Sequence, residues 1–395
     1  MKNALAFLLT GWVFTTASAQ KPSPPTPRFE AQVIDNQISI GYGLATGDVD
    51  GDRRTDILLA DKKDIVWYQN PVNPGDPWKR FVMAQNLTPQ DNVCIAARDL
   101  DGDGRVEVAV GAGWDPGETN DTTKSGAVFY LLRPQDPTQR WEPLRLHHEV
   151  TTHRMRWAKA GDQYQLVVVP LHGRGNKNGE GRGVRVYGYE FPKDARSASV
   201  RKPWKLHLID SSLHMTHNFE IWEDGPQTRI LLGGREGGRV LAWQNNRWQF
   251  TGTEVGPGLG MGEVRRGIAG GKSFVAAVTP MHGNQLVVLG ENGPKQVLYE
   301  KLAQGHALVS GDFLKTGQAQ LAVGWRMANA DKKFGVRLWT SDATGQNWRE
   351  FPVDDRIPMA CEDLHAADLN GDGRLDLIAA GRATLNLLVY WNRSE

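Results

Sequence analysis

The chain has 395 residues, with 46 Lys and Arg set against 45 Asp and Glu for a formal net charge of +1. That balance lacks the basic footprint of a nucleic-acid binder and excludes nucleic acid as a partner. Forty-four glycines and fourteen tryptophans suit a sheet protein with many tight turns.

The chain opens on Met1-Lys2-Asn3, runs through an apolar stretch from Ala4 to Phe14, and reaches Thr15-Thr16-Ala17-Ser18-Ala19 before Gln20. A charged start, a short apolar core and an Ala-x-Ala end mark residues 1–19 as a signal peptide. Gln20 stands where a lipoprotein would carry Cys, and the apolar run is too short to span a bilayer, as is every later one. A soluble, secreted, periplasmic product is expected. Residues 20–27 form a Pro-rich, extended leader, and residues 28–395 form one domain. Cys94 and Cys361 either pair in an oxidising compartment or remain two buried thiols.

Three segments repeat in register at residues 44–60, 95–111 and 364–380. Each is a short strand of small residues, an acidic Gly-containing loop and a β-rich strand, which reads as a hairpin. A further strand follows each, at 64–68, 127–131 and 385–391. Degenerate copies align on the position six residues before the first loop residue: Tyr42, Val93, His153, His217, Arg265, His306 and Glu362. Seven units of roughly forty to sixty residues predict an all-β, seven-bladed propeller of four-stranded blades. The last unit ends after three strands, at Trp391, and Phe29–Asp35 has the pattern of an outer strand with no blade of its own. It is predicted to complete the seventh blade and close the ring, which removes the open edges.

Alternate oxygen-bearing residues surround the glycine in all three loops: Asp48, Asp50, Asp52 and Asp56; Asp99, Asp101, Asp103 and Glu107; Asp368, Asn370, Asp372 and Asp376. Oxygen ligands at this spacing suit a hard cation, and structural Ca²⁺ is expected, at the hairpin tips opposite the histidines.

In a propeller blade, the start of the innermost strand and the loop between the second and third strands lie on one face. The aligned starts ring the channel, and the second loops contribute Asp61, Trp114, His172, Arg235, His282, Arg326 and Arg382. Five of the ten histidines therefore converge on one funnel, with several Arg and one Glu. Imidazole with carboxylate suits Zn²⁺ or another divalent transition metal, with His217, His306 and Glu362 as ligands. Tyr42, Trp114, Arg235, Arg265, Arg326 and Arg382 are expected to contact substrate, Trp114 by stacking on a sugar ring; the arginines equally suit bracing between blades. Trp67, Trp243, Trp339 and Trp391 fall on third strands and read as packing. The glycine-rich stretch 173–183 does not lead a strand into a helix, so it is no phosphate loop, and it reads as a lid beside His172.

The Asp/Gly loops resemble the FG-GAP or VCBS repeats of integrin-type propellers. A narrower resemblance rests on Thr216-His-Asn-Phe-Glu220, Gly233-Gly-Arg-Glu-Gly237, His282-Gly-Asn-Gln285, Gly305-His-Ala-Leu308, Val323-Gly-Trp-Arg326, Met359-Ala-Cys-Glu-Asp363 and Ala380-Gly-Arg-Ala-Thr384. These are similar to the propeller domain of aldos-2-ulose and anhydrofructose dehydratases. The resemblance implies metal-dependent elimination from a keto-sugar or keto-glycoside, a small-molecule carbohydrate. The fungal enzymes add cupin domains, absent from this sequence, so elimination is expected without cupin-dependent isomerisation. His153, His217 and His306 are then the core catalytic residues and His172 and His282 the acid and base. The alternative is a non-catalytic propeller that binds a glycan or a protein.

Overall fold

The second strand of each repeat carries no exposed position; Asp56–Ala60 and Asp376–Gly381 are buried throughout. An apolar run of that kind, bounded by turns, must lie between other sheets. A computed structural model, which describes residues 25–73, 75–193, 198–290 and 294–395, places it so. Seven four-stranded antiparallel sheets stand in a ring, six of them running from an innermost to an outermost strand in chain order. The first six blades span residues 43–85, 91–145, 152–210, 216–255, 264–299 and 305–352. The signal-peptide stretch and residues 20–24 of the leader lie outside the described residues. No helix among the described residues is long and apolar enough to cross a membrane.

The seventh blade takes Cys361–Ala367, Asp376–Gly381 and Asn386–Asn392 from the end of the chain and Phe29–Asp35 from its start. The last two pair antiparallel, Phe29 opposite Asn392 and Ala31 opposite Tyr390. Ala31 also donates its N–H to Asp354 Oδ2 at 2.9 Å, in the link that follows the sixth blade, which ties the closure to its neighbour.

The core lies between blades. Trp67 packs with Met83 of its own blade and with Ile95, Val108, Val110, Phe129 and Trp141 of the next. Trp339 packs with Leu308 of its own blade and with Phe274 and Val278 of the preceding one. A buried Trp removes about 150–250 Å² from water, on the order of 4–6 kcal/mol at ~25 cal/mol/Å², so these third-strand tryptophans fasten blade to blade. Cys94 and Cys361 are separate, buried, free thiols on innermost strands. Each sulfur fills the space left by a glycine without Cβ, Gly111 and Gly324 respectively.

Candidate functional site

The three acidic loops share one hydrogen-bond pattern. The first Asp accepts two loop N–H groups: Asp48 from Gly51 (2.6 Å) and Arg53 (2.7 Å), Asp99 from Gly102 (2.7 Å) and Gly104 (3.0 Å), and Asp368 from Gly371 and Gly373 (both 2.8 Å). The last acid ties the loop to its blade. Asp56 accepts from Val49 and Asn70, Glu107 from Leu100, and Asp376 from Leu369 and Asn392. Burial pushes these carboxyls up, to about 8 for Asp56, about 7 for Glu107 and about 6 for Asp376, against the pull of those N–H donors. Carboxylate oxygens of Asp48, Asp50 and Asp56 lie within 4.8 Å of one another, as do those of Asp99, Asp101 and Glu107. Crowded carboxylates with raised pKa values are a donor set that fits a hard cation. Asp52, Asp103 and Asp372, expected as further ligands, are drawn aside by arginines: Asp52 by Arg54, Asp103 by Arg105 and Arg133, Asp372 by Arg374.

The histidines occupy the opposite face. His153, His217, His306 and Glu362 each sit at the start of an innermost strand, where the register slips. Such bulges release a residue from the ladder and re-aim its side chain, here toward the channel mouth. In the second blade the slip skips Val93, which packs into the core, and Asn92 before it stays paired with Ala112 and donates to the Asp61 carbonyl. The fifth blade has no slip: Arg265 pairs regularly with Ala276. Its guanidinium runs to Glu263 Oε2 and Glu220 Oε2, each at 3.4 Å, instead of to the histidines.

His282 comes from the second loop of that blade and completes the group. Gly262 has room for no Cβ because the Met281 carbonyl lies against it, and Met281 itself sits at φ 42°, a left-handed conformation that bulky residues seldom adopt. The loop is thereby pressed onto the His217 side. The ring of His217 lies 4.4 Å from that of His282, 5.2 Å from His306 and 4.6 Å from His153. His282 and His306 stack at 4.8 Å. One ring nitrogen of each of His217, His282 and His306 lies within 4.8 Å of the others.

The tautomers are set from behind. His217 Nδ1 donates to the Gly262 carbonyl at 3.1 Å, and His306 Nδ1 to the Glu362 carbonyl at 2.6 Å. Their Nε2 lone pairs are left facing inward, and His217 Nε2 meets His282 Nε2 at 2.5 Å. Glu263 Oε1 lies 3.2 Å from His217 Nδ1, too oblique for a second hydrogen bond, and is buried without a donor. Burial acts to raise the Glu263 carboxyl, but His217 and Arg265 outweigh it and leave the group at about 2. Burial lowers His153, His217 and His306, and loss of water with the nearby charges of His217, Arg326 and Arg154 lowers His282, so the cluster is neutral at pH 7.

His153 stands differently from the expectation of a core catalytic residue. Its Nδ1 donates to the His217 carbonyl at 3.0 Å, its Nε2 faces Arg154 Nη1 at 3.2 Å, and its ring stacks on Trp114 at 4.9 Å. Both nitrogens are engaged and one face of Trp114 is covered. His172 makes no ring contact with the four; its N–H donates to Thr151 Oγ1 and its Nδ1 is buried without a partner. Glu362, expected as a ligand, is buried at 2% exposure and held by Arg326 Nη1 (3.2 and 3.3 Å) and Arg382 Nη1 (3.0 Å), with His306 Nε2 at 3.9 Å. Arg382 also lies over the Tyr42 ring, whose hydroxyl donates to Asp91. Arg235 reaches the Asn178 carbonyl on the 173–183 stretch and touches none of the histidines. That stretch is pinned: Asn176 is fully buried and donates to the Arg182 and His214 carbonyls. Below the mouth, a cavity of about 250 Å³ runs from Tyr42 past Arg154, Arg156 and Asp363 to His365.

Residues 48–110, which span the first two acidic loops, match the FG-GAP-like repeat family. The chain carries that repeat. No curated protein matches the sequence at a significant level. Among solved structures the fold is similar to that of BBS1N in complex with ARL6DN (12% identity over 93% of this chain and 96% of that one, TM-score 0.55). It is also similar to YCF48 bound to D1 peptide (13%, 93% and 97%, TM-score 0.52) and to the RRP9 WD40 repeats (14%, 94% and 99%, TM-score 0.52). At these identities the likeness concerns the propeller fold alone.

Proposed function

We propose that the funnel holds a divalent transition metal on His217, His282 and His306 and presents it to an oxygen-rich small molecule. What carries the reading is the convergence of three imidazole nitrogens, two of them with inward lone pairs set by backbone carbonyls. Neutral nitrogen donors with acceptors behind them are a set that Zn²⁺ favours, and the carboxylate of Glu263 behind His217 extends it. The acidic loops are separate, structural Ca²⁺ sites. The Ala-x-Ala end of residues 1–19 supports export to the periplasm.

The finer reading is a carbon–oxygen lyase acting on a keto-sugar or keto-glycoside, supported by the resemblance of the funnel stretches to keto-sugar dehydratases. When bound, the metal would polarise the ketone and so acidify the neighbouring C–H. Arg326 and Arg382, fixed by Glu362, orient the substrate. His172 takes the proton: burial keeps its imidazole neutral. Tyr42, pushed up to about 12 by burial and by Asp91, keeps its proton on Asp91 and backs Arg382, and the imidazolium of His172 returns its proton to the departing oxygen.

A non-catalytic platform for a glycan or a protein is the second reading. Two of the similar structures are complexes with a protein or peptide. A concavity of about 640 Å³ also lies away from the histidines, at the seam of the first and seventh blades beside Trp78 and Trp391. An ultraviolet assay separates the two. Anhydrofructose and keto-glycosides are offered to the purified protein with and without added Zn²⁺, and conjugated-enone absorbance is followed. A metal-dependent rise supports the lyase, and a flat trace across substrates and metals leaves only the platform.

A further inference from the structure

We infer that the molecule bound in the funnel carries a carboxylate, so that the substrate class is an acidic keto-sugar, a keto-aldonate or keto-uronate, and not a neutral one. The inference rests on the funnel being the binding site proposed above. It starts from a surplus of positive charge. Glu362 is a single buried carboxylate with two guanidiniums on it, Arg326 and Arg382. One would neutralise it. The remaining contacts of the pair are uncharged: Arg326 Nε donates to Gln304 Oε1 at 2.8 Å, and Arg382 lies over Tyr42.

A third guanidinium adds to the surplus. Arg154 is 8% exposed, its Nη1 is on His153 Nε2, and its Nη2 is buried with no acceptor. Along the channel five guanidiniums, those of Arg154, Arg156, Arg265, Arg326 and Arg382, face the four carboxylates of Glu220, Glu263, Glu362 and Asp363. Asp363 is drawn by Arg154 before Arg156, and Arg265 is shared between Glu263 and Glu220, so the doubly held Glu362 is where guanidiniums outnumber carboxylates. Guanidiniums in excess at a half-open mouth are a site for an anion. The donors that reach it are planar forks: Arg382 has 41% of its side chain exposed and Arg326 16%. A carboxylate matches that fork with two parallel hydrogen bonds, and Glu362 already shows the pairing from below.

The test is calorimetric titration of the full chain, metal-stripped and Zn²⁺-loaded, with 5-keto-gluconate, fructose and fructose 6-phosphate. The acid is expected to bind at least about tenfold more tightly than fructose in both forms, with the preference weakening as salt rises. Arg382→Gln is expected to bring the ratio to within about threefold, whereas Lys272→Gln, on an exposed strand edge far from the mouth, leaves it unchanged. Equal affinities, a preference that survives Arg382→Gln, no binding of the acid, or tighter binding of the phosphate would overturn the inference. Because the preference is read without metal as well, a protein that takes up no Zn²⁺ defeats the metal reading alone.

Discussion

Asp56 braces the first acidic loop, and its removal has a calculable cost. The side chain is fully buried, and its oxygens accept the N–H groups of Val49 at 2.9 Å and Asn70 at 2.8 Å. Asp56→Ala leaves two buried donors without an acceptor, at about 1–3 kcal/mol each. Deleting a carboxyl that burial has pushed up to about 8 works the other way, since ionising it in the fold was unfavourable. The net expectation is a loss of about 2–4 kcal/mol in chelator, read as a lower urea midpoint at an unchanged slope by Trp fluorescence. Asp56→Asn keeps one acceptor and should fall between. Asp50→Ala, which removes a part-exposed acceptor of Gln69 Nε2, should cost less than about 1 kcal/mol. If Asp56→Ala lies within about 0.5 kcal/mol of the parent, the buried acid is not what fastens the loop to the blade.

Other outcomes follow from the same geometry. Arg53 stands at φ 69°, where the second and third loops have Gly104 and Gly373 at φ 84° and 77°; Arg53→Gly should raise stability by about 0.5 kcal/mol or more, and a loss would contradict strain there. Adding Ca²⁺ to chelated protein should raise Tm, with about 2.7 kcal/mol gained at a hundredfold excess over Kd, and Asp48→Ala with Asp99→Ala should remove most of the rise. Tm that ignores Ca²⁺ removes the loops as cation sites. Burial and the charges of Arg156 and Arg265 hold His365 down at about 4, below its unfolded value near 6.5. The unfolded chain then binds the extra proton, so stability is full above pH 6.5 and is lost as pH falls toward 4, by at most about 3 kcal/mol for this group. His365→Asn should flatten the acid slope in that window, and an unchanged slope would mean that the imidazole is not held neutral.

The ring and its closure were legible because propeller repeats leave a count in the sequence. The last unit runs one strand short, and Phe29–Asp35 has the missing strand's pattern. The acidic loops were legible because alternate oxygens around a glycine occur three times in register. The aligned strand starts bring His217 and His306 together with His282, whereas the partners of the side chains around them were not legible. Strand alternation puts neighbours on opposite sides, so Arg154 reads as pointing away from His153; the register slip at Thr152 brings the two together. The same alignment set Arg265 in the ring of funnel positions, and the regular ladder of that blade turns it onto Glu263 and Glu220. Glu263, two residues upstream of the aligned position, carried no motif, and its place behind His217 exists only once the fourth and fifth blades pack together. Bulges arise from packing between blades and leave no periodic trace in one strand.

The most direct measurement of the central claim is the metal content of the purified full chain after mild chelation, by elemental analysis. The account predicts close to one equivalent of Zn²⁺ or another divalent transition metal in addition to Ca²⁺, and a fall to a small fraction in His282→Ala, whose ring is the exposed member of the three and whose loss spares the core. A parent protein without transition metal, or one whose metal persists unchanged in His282→Ala and His306→Ala, would contradict it.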